Sequence, residues 1–468
     1  MSFLQKFFQL LDPTPLRPKR RAPITIRKTQ PMPAVQETLI GPPLEGLEYI
    51  QFGHFSDNNR TPAQKEYWGE AQTLFEAKKY TESLQVFLQY LFDKKEAAVA
   101  WHTAADGILH FELSQGTRLI TGAFDGRFLH AAAPLARTQN AGTAVMRRLL
   151  ELNYELRYTS VGMSSEGIFY LVFDTDAETA SPHKLFAGLE ELAIKADRQD
   201  DSLLTDFENL EPVGEALIEP LSDQEIKTKV LAFRNWIQHA LQMADTFDVD
   251  TYAGAIAELY LTTIYRLDFL LSPDGRLMLE IERISGLYWR QKDKAVVLRN
   301  REIKAALEQL LQWTPDEISQ CLHRTRSTFS LTDDPQPDKM RDHILGSLKS
   351  SETYEARHQK QLAACLLEYG PLYNLYLYTM PDVIRDLSIV LFAVWHPRYF
   401  NDLGLRKPFY DIQTHKLAER HIKETVQALI KPWKETFPSL AFDLSKVSFR
   451  NRYEFGRSYA AQLAQVVI

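Results

Sequence analysis

Apolar and polar positions alternate with different periods along the chain, and the periods mark out its elements. From Pro62 to about Asp106 the apolar residues recur at helical spacing. Trp68, Ala71, Leu74, Phe75, Tyr80, Ser83, Leu84 and Phe87 resemble one tetratricopeptide helix pair. No second copy follows at the roughly 34-residue period of a stacked array, so a helical hairpin packed on the next domain is expected. Period two then takes over. Residues 108–113 and 117–124 flank Ser114-Gln115-Gly116, and Asp125-Gly126 turns the chain into 127–133, a strong hairpin signal. Asn140 can cap a helix whose apolar positions are Ala144, Val145, Leu149 and Leu152. Residues 155–162 alternate again, turn at Ser164-Ser165-Glu166-Gly167 and return as 168–173. Ser181-Pro182 opens a long helix through Leu185, Leu189, Leu192 and Ala196 toward Phe207, with proline suited to the first turn.

On either side the pattern changes. Residues 1–11 predict a short amphipathic helix, with Phe3, Leu4, Phe7, Phe8, Leu10 and Leu11 around Gln5, Lys6 and Gln9. Residues 12–62 carry eight prolines from Pro13 to Pro43 and no sustained period, and read as a disordered tether. From Ser222 onward the chain reads as helical, opening on a capping box at Ser222-Asp223-Gln224-Glu225. Apolar runs at 231–241, 252–271, 277–288 and 303–313 are followed by helical regions at 354–394 and 413–436. Ser272-Pro273-Asp274-Gly275 is a tight turn, and residues 332–338, with Pro335 and Pro337, read as an internal linker. The expected fold class is α+β. A small antiparallel sheet with flanking helices, in the order α-β-β-β-α-β-β-α, fills residues 63–215, and a mainly α-helical domain fills 222–468 with a division near 332–340.

The element order resembles the type III secretion chaperone-like fold, including bacterial proteins similar to YbjN. Gly116 in the first hairpin, Asn140 with Arg147-Arg148-Leu149-Leu150-Glu151-Leu152-Asn153-Tyr154, and Ala196-Asp197 in the closing helix carry the resemblance, over roughly 125 of 468 residues. It implies a two-layer α/β domain that often dimerises and clasps segments of other proteins. The long N-terminal extension and the helical second half depart from the small stand-alone chaperones.

Composition narrows the function classes. Cys321 and Cys365 are far apart and outside any CxxC pairing, which fits a reducing compartment and no thiolate metal site. No apolar run reaches the ~20 residues of a membrane span, and residues 1–11 lack a basic leader and a small-residue cleavage site. A cytoplasmic protein is expected. Residues 174–225 hold fifteen acidic and three basic residues within a chain of net charge −7, leaving the remainder slightly positive. That layout argues against nucleic acid and offers an acidic face to basic partners.

No phosphate loop or dinucleotide fingerprint occurs, and the Gly162–Gly167 stretch has the wrong spacing for a nucleophile elbow. Asp245, Asp248 and Asp250 miss the spacing and glycine of a calcium loop. His415 and Glu419 share a helical face, but His421 breaks the zinc-protease pattern. His396 before Pro397 suits a helix C-terminus. No cofactor or metal is expected, and the chain reads as a non-catalytic adaptor. Its partner-binding candidates are Phe3, Leu4, Phe7, Phe8 and Leu11, and the stripe Tyr369, Tyr373 and Tyr376, which serves either as helix packing or, if exposed, as a peptide-binding face. The partner is a protein, with a homodimer among the options, and protein docking of the N-terminus is favoured over a membrane surface. The alternative is an enzyme with a dispersed site in the helical half, for which Glu280, Glu282, Arg283 and Tyr288 are candidates. On this reading, deleting residues 1–60 leaves folding intact and abolishes partner capture in a pulldown.

Overall fold

Leu109, Phe111 and Leu113 are fully buried, while His110, Glu112 and Ser114 between them are only half-buried. This alternation makes a sheet with one covered face. The structure, a computed structural model, describes residues 44–53, 62–93, 96–214, 217–434, 437–438 and 440–466. The amphipathic helix expected at residues 1–11, with Phe3, Leu4, Phe7, Phe8 and Leu11, lies outside the described residues, as does most of the tether.

Helices α1 (Pro62–Glu76) and α2 (Tyr80–Leu91) form the expected hairpin. The sheet follows as β1 (Val99–Thr103), β2 (Leu109–Gly116), β3 (Arg118–Phe124) and β4 (Phe128–Arg137), then α3 (Thr143–Glu155), β5 (Thr159–Met163), β6 (Ile168–Asp176) and α4 (Pro182–Asp206). Every pairing is antiparallel, in the order β1-β2-β3-β4-β6-β5. Helix α4 crosses the covered face through Leu185, Leu189, Leu192, Ala193 and Ala196, all buried. It begins as its sequence dictates, with Ser181 accepting from the Lys184 N–H and proline in the first turn. Gly116 is at φ +53, and a Cβ there would come within 2.1 Å of the Asp197 carboxylate, which accepts the Thr117 N–H at 3.0 Å. Two residues that carried the family resemblance therefore meet in one turn.

The helical half contains a two-residue strand β7 (Glu219–Pro220), α5 (Asp223–Ala244), α6 (Ala253–Arg266) with a π-helical turn at Leu267–Leu271, α7 (Gly275–Trp289), α8 (Val296–Leu310) and α9 (Pro315–Ser319). Short strands β8 (His323–Arg324) and β9 (Arg326–Ser327) lead to α10 (Pro337–Ala356), α11 (Lys360–Leu377), α12 (Asp382–Trp395) and α13 (Pro397–Asp402). The hairpin β10 (Tyr410–Asp411) and β11 (Lys416–Leu417), α14 (Glu419–Ile430) and α15 (Arg452–Leu463) complete it.

Several expectations change. The helical pattern stops at Leu91, and β1 adds a strand at the sheet edge; its largely exposed residues hid the alternation. The helix α3 begins at Thr143 with Gly142 at the N-cap position, two residues beyond Asn140 and with no side-chain cap, while the Asn140 N–H bonds back to Thr138 Oγ1. Residues 410–417 form a hairpin, so His415, at φ +55, sits in a turn and not on a helical face with Glu419. Residues 44–53 are no tether. Leu44, Leu47 and Phe52 are buried in the helical core, the Phe52 ring lies 5.6 Å from Phe400, and Gly53 N–H donates to Phe269 O at 2.7 Å.

The linker at 332–338 is not a boundary either, since one core continues across it. The sheet and the helical half have separate cores, yet the chain around residue 328 joins them. Strand β9 pairs with β2, and Phe329, fully buried, enters the core of the sheet against Phe186 at 5.4 Å. The buried Gln115 side chain holds it from both sides, donating to Phe329 O at 3.1 Å and accepting from Phe329 N–H at 3.0 Å. Phe329→Ala is expected to lower stability by about 3–5 kcal/mol, read as a lower urea midpoint; an unchanged midpoint would contradict this role. Deleting residues 1–60 removes Leu44, Leu47 and Phe52, so that truncation is expected to melt below the full chain, contrary to the sequence reading.

Candidate functional site

In α3 the residues Val145, Leu149 and Leu152 point into the core, which fixes the opposite ridge of Arg147, Leu150, Glu151 and Tyr154 toward solvent. Leu150 is 45% exposed and Tyr154 93%; just beyond, Tyr158 is 44% and Met163 53% exposed. Thus four exposed large apolar residues fall within one helix, the edge strand that follows it and the turn between them. Arg147, Arg148, Glu151 and Glu155 surround Leu150 and Tyr154 in an open depression.

Strand β5 is an outer strand of the sheet, and side chains accept the outward N–H groups of Thr159 and Val161. Asn153 Oδ1 accepts from Val161 N–H at 2.7 Å. The Glu191 carboxylate, reaching across from α4, accepts the N–H groups of Arg157, Tyr158 and Thr159 at 2.8–2.9 Å. Burial raises the Glu191 pKa, but these donors outweigh it and hold the carboxyl below its ordinary value. With the Thr159 and Val161 donors engaged, an added strand finds fewer partners on this edge, and the side-chain rim beside it is the more open surface for docking.

The tyrosine stripe is built differently from an open binding face. Tyr369, Tyr373 and Tyr376 are half-buried on α11, with rings 6.2, 5.4 and 4.6 Å from Tyr265 of α6. Tyr373 stacks on Trp289 at 5.3 Å, and the Trp289 indole donates to Tyr265 Oη at 2.8 Å. Burial pushes the Tyr373 hydroxyl up to about 12. The stripe is mainly helix-to-helix packing.

Two charged clusters are buried in the helical half. Arg266 Nη2 donates to Glu368 Oε2 at 2.5 Å, and His396 Nε2 lies 2.7 Å from Glu368 Oε1. Trp236 packs on both, 5.7 Å from the Arg266 guanidinium and 5.3 Å from the His396 ring. Burial alone would raise the Glu368 pKa, but Arg266 and His396 more than reverse it and hold the carboxyl at about 2. Burial lowers the His396 pKa against the pull of Glu368, and pushes the Cys365 thiol up to about 11. Around Glu225, Lys229 Nζ stands 3.1 Å away and Arg324 donates at 2.8 Å; Glu225 and Lys229 are both almost fully buried. Ser222 does accept the Glu225 N–H, but the Glu225 side chain runs inward to this cluster, so no reciprocal capping box forms.

The remaining candidates separate. Glu280 pairs with Arg283, Glu282 with Arg198 of the sheet module at 3.0 Å, and the Arg299 guanidinium covers the Tyr288 ring. Asp245 pairs with Lys304 while Asp248 caps Thr251, and His421 stacks on Phe409. Much of the acidic stretch is also engaged internally, including Asp174 with His130, Asp197 with Thr117 and Glu219 with Arg326. The enclosed cavity between Met340, Pro371, Ile384 and Leu463 is about 20 Å³, room for one water. Among the described residues no three potential metal ligands converge. The sequence reading missed the Arg266–Glu368–His396 cluster, although a charged residue in the apolar phase of a helix, as Glu368 is behind Leu366 and Leu367, was the available signal. Comparison with protein-family models, curated proteins and solved structures finds no match.

Glu258, half-buried on α6, carries an observable pH signature. Burial raises its pKa from 4.5 to about 7, and a bond to Ser350 offsets only part of this. Below about pH 4.5 the group is neutral both folded and unfolded, so it has no effect; as pH rises toward 7 the unfolded chain ionises first and the fold loses stability. Glu258→Gln is expected to match the wild type near pH 4.5 and to exceed it at pH 8 by on the order of 1–3 kcal/mol. Urea melts at the two pH values measure the difference, and equal gains at both would refute the assignment.

Proposed function

We propose that the chain is a non-catalytic protein-binding protein, an adaptor or chaperone-like holder, which docks its partner on the rim formed by α3 and β5. The exposure of Leu150 and Tyr154 together in one open depression of α3, with Tyr158 and Met163 exposed next along the chain, is the observation that carries this reading. Resemblance to the type III secretion chaperone-like fold supports it through element order and through the meeting of Gly116 with Asp197. No described helix is long and apolar enough to cross a membrane. Together with two free cysteines, that supports a cytoplasmic setting. The other reading, an enzyme with a dispersed site, has its best candidate at Arg266, Glu368 and His396, groups already paired with one another.

The rim also favours a particular partner. Arg147 and Arg148 precede Glu151 and Glu155 along α3. Within one copy Arg147 pairs with Glu151 and Glu155 with Lys195; two copies packed antiparallel about a two-fold axis set the basic half of one helix against the acidic half of the other, so that these exposed pairs can be shared between copies, with Leu150 near the centre. A second copy is therefore the proposed occupant. Sedimentation is expected to give twice the 53.9 kDa chain mass, falling to the monomer in Leu150→Asp/Tyr154→Ala, whose altered positions are exposed and leave the circular dichroism spectrum unchanged. A monomeric wild type, or a double variant that stays dimeric, would sink the proposal.

A further inference from the structure

The face of the sheet opposite α4 carries a row of histidines set by strand register. His102 on β1 lies directly opposite His110 on β2, His110 opposite Ala123 on β3, Ala123 opposite His130 on β4, and His130 opposite Asp174 on β6. His130 is engaged, with Nδ1 2.6 Å from Asp174 Oδ1. The other two are not. Their rings stack at 5.4 Å with only 22° between the planes, and neither imidazole has a hydrogen-bond partner among the described residues. His102 is exposed and His110 half-buried.

We infer that His102 and His110 form a chelating pair for a borderline transition cation: Zn²⁺, Cu²⁺ or Ni²⁺. Cβ atoms of directly opposed residues on antiparallel strands sit about 4.5–5.5 Å apart. Side-chain rotation from there brings two ring nitrogens to the separation that metal–nitrogen bonds of about 2.0–2.1 Å require. The antiparallel β1–β2 register places the two residues directly opposite each other. Imidazole favours these cations over Mg²⁺ and Ca²⁺, which prefer oxygen. With no third ligand converging, the pair supplies two ligands and water the rest. Protons compete for the same nitrogens, so occupancy falls on acidification.

Titration of the full chain with ZnCl₂ at pH 7.5, followed by calorimetry, is expected to show a site that weakens roughly tenfold or more in His102→Gln and in His110→Gln. It should be unchanged in His130→Gln. Zn²⁺ should also raise the melting temperature of the wild type and not of the His110→Gln protein, which separates lost binding from lost folding. Absence of a site in the wild type, wild-type affinity in either pair variant, or an equal loss in His130→Gln would overturn the assignment.

Discussion

The contact between Gln115 and Phe329 joins the two halves of the molecule, and much of the architecture depends on it. A glutamine amide with no access to water must find both a donor and an acceptor, and the backbone of Phe329 offers both. Once that backbone is in place, Thr328 bonds to the Ser114 carbonyl and the Phe329 ring fills the sheet core. The sheet module therefore includes a piece of chain supplied from the helical half. Arg198 with Glu282 adds a polar tie between the two halves.

The helical half shows a different constraint. Charges taken from water must be paired, and pairing fixes the helices that carry them. Glu368 on α11 reaches Arg266 at the end of α6 and His396 at the junction of α12 and α13, so one carboxylate sets three chain segments. Arg266 stands where α6 passes into its π-helical turn, a local irregularity that the ion pair helps to hold. A neutral replacement of Glu368 leaves the Arg266 guanidinium buried without its counter-charge.

What was legible in the sequence is mostly local. Asp125-Gly126 and Ser164–Gly167 became hairpin turns because their backbone demands are carried by the residues themselves, with Gly126 and Gly167 at positive φ. The Ser181-Pro182 start of α4 was equally plain. Elements whose stability comes from remote contacts were not. Strand β1 is largely exposed, β9 has two residues, and Phe329 sits in a stretch with no period at all. The Glu225–Lys229 pair has the i, i+4 spacing of a solvent-exposed helix bridge, and only Arg324 and the surrounding burial distinguish it. The rim was readable in principle, since the inward phase of Val145, Leu149 and Leu152 already assigns Leu150 and Tyr154 to solvent. The tyrosine stripe was visible as a stripe, but its cover, Tyr265 and Trp289, lies far away in sequence.

The strap at residue 329 also imposes an order on the birth of the protein. Gln115 and Phe329 are 214 residues apart, so at typical elongation rates roughly 10–40 s separate their appearance from the ribosome. Through that interval the Gln115 amide has only water in place of Phe329, and the sheet core lacks one ring. The amino-terminal module cannot mature by itself while the rest is being made. Its last stitch comes from chain that is translated after most of α5 to α9 already exists.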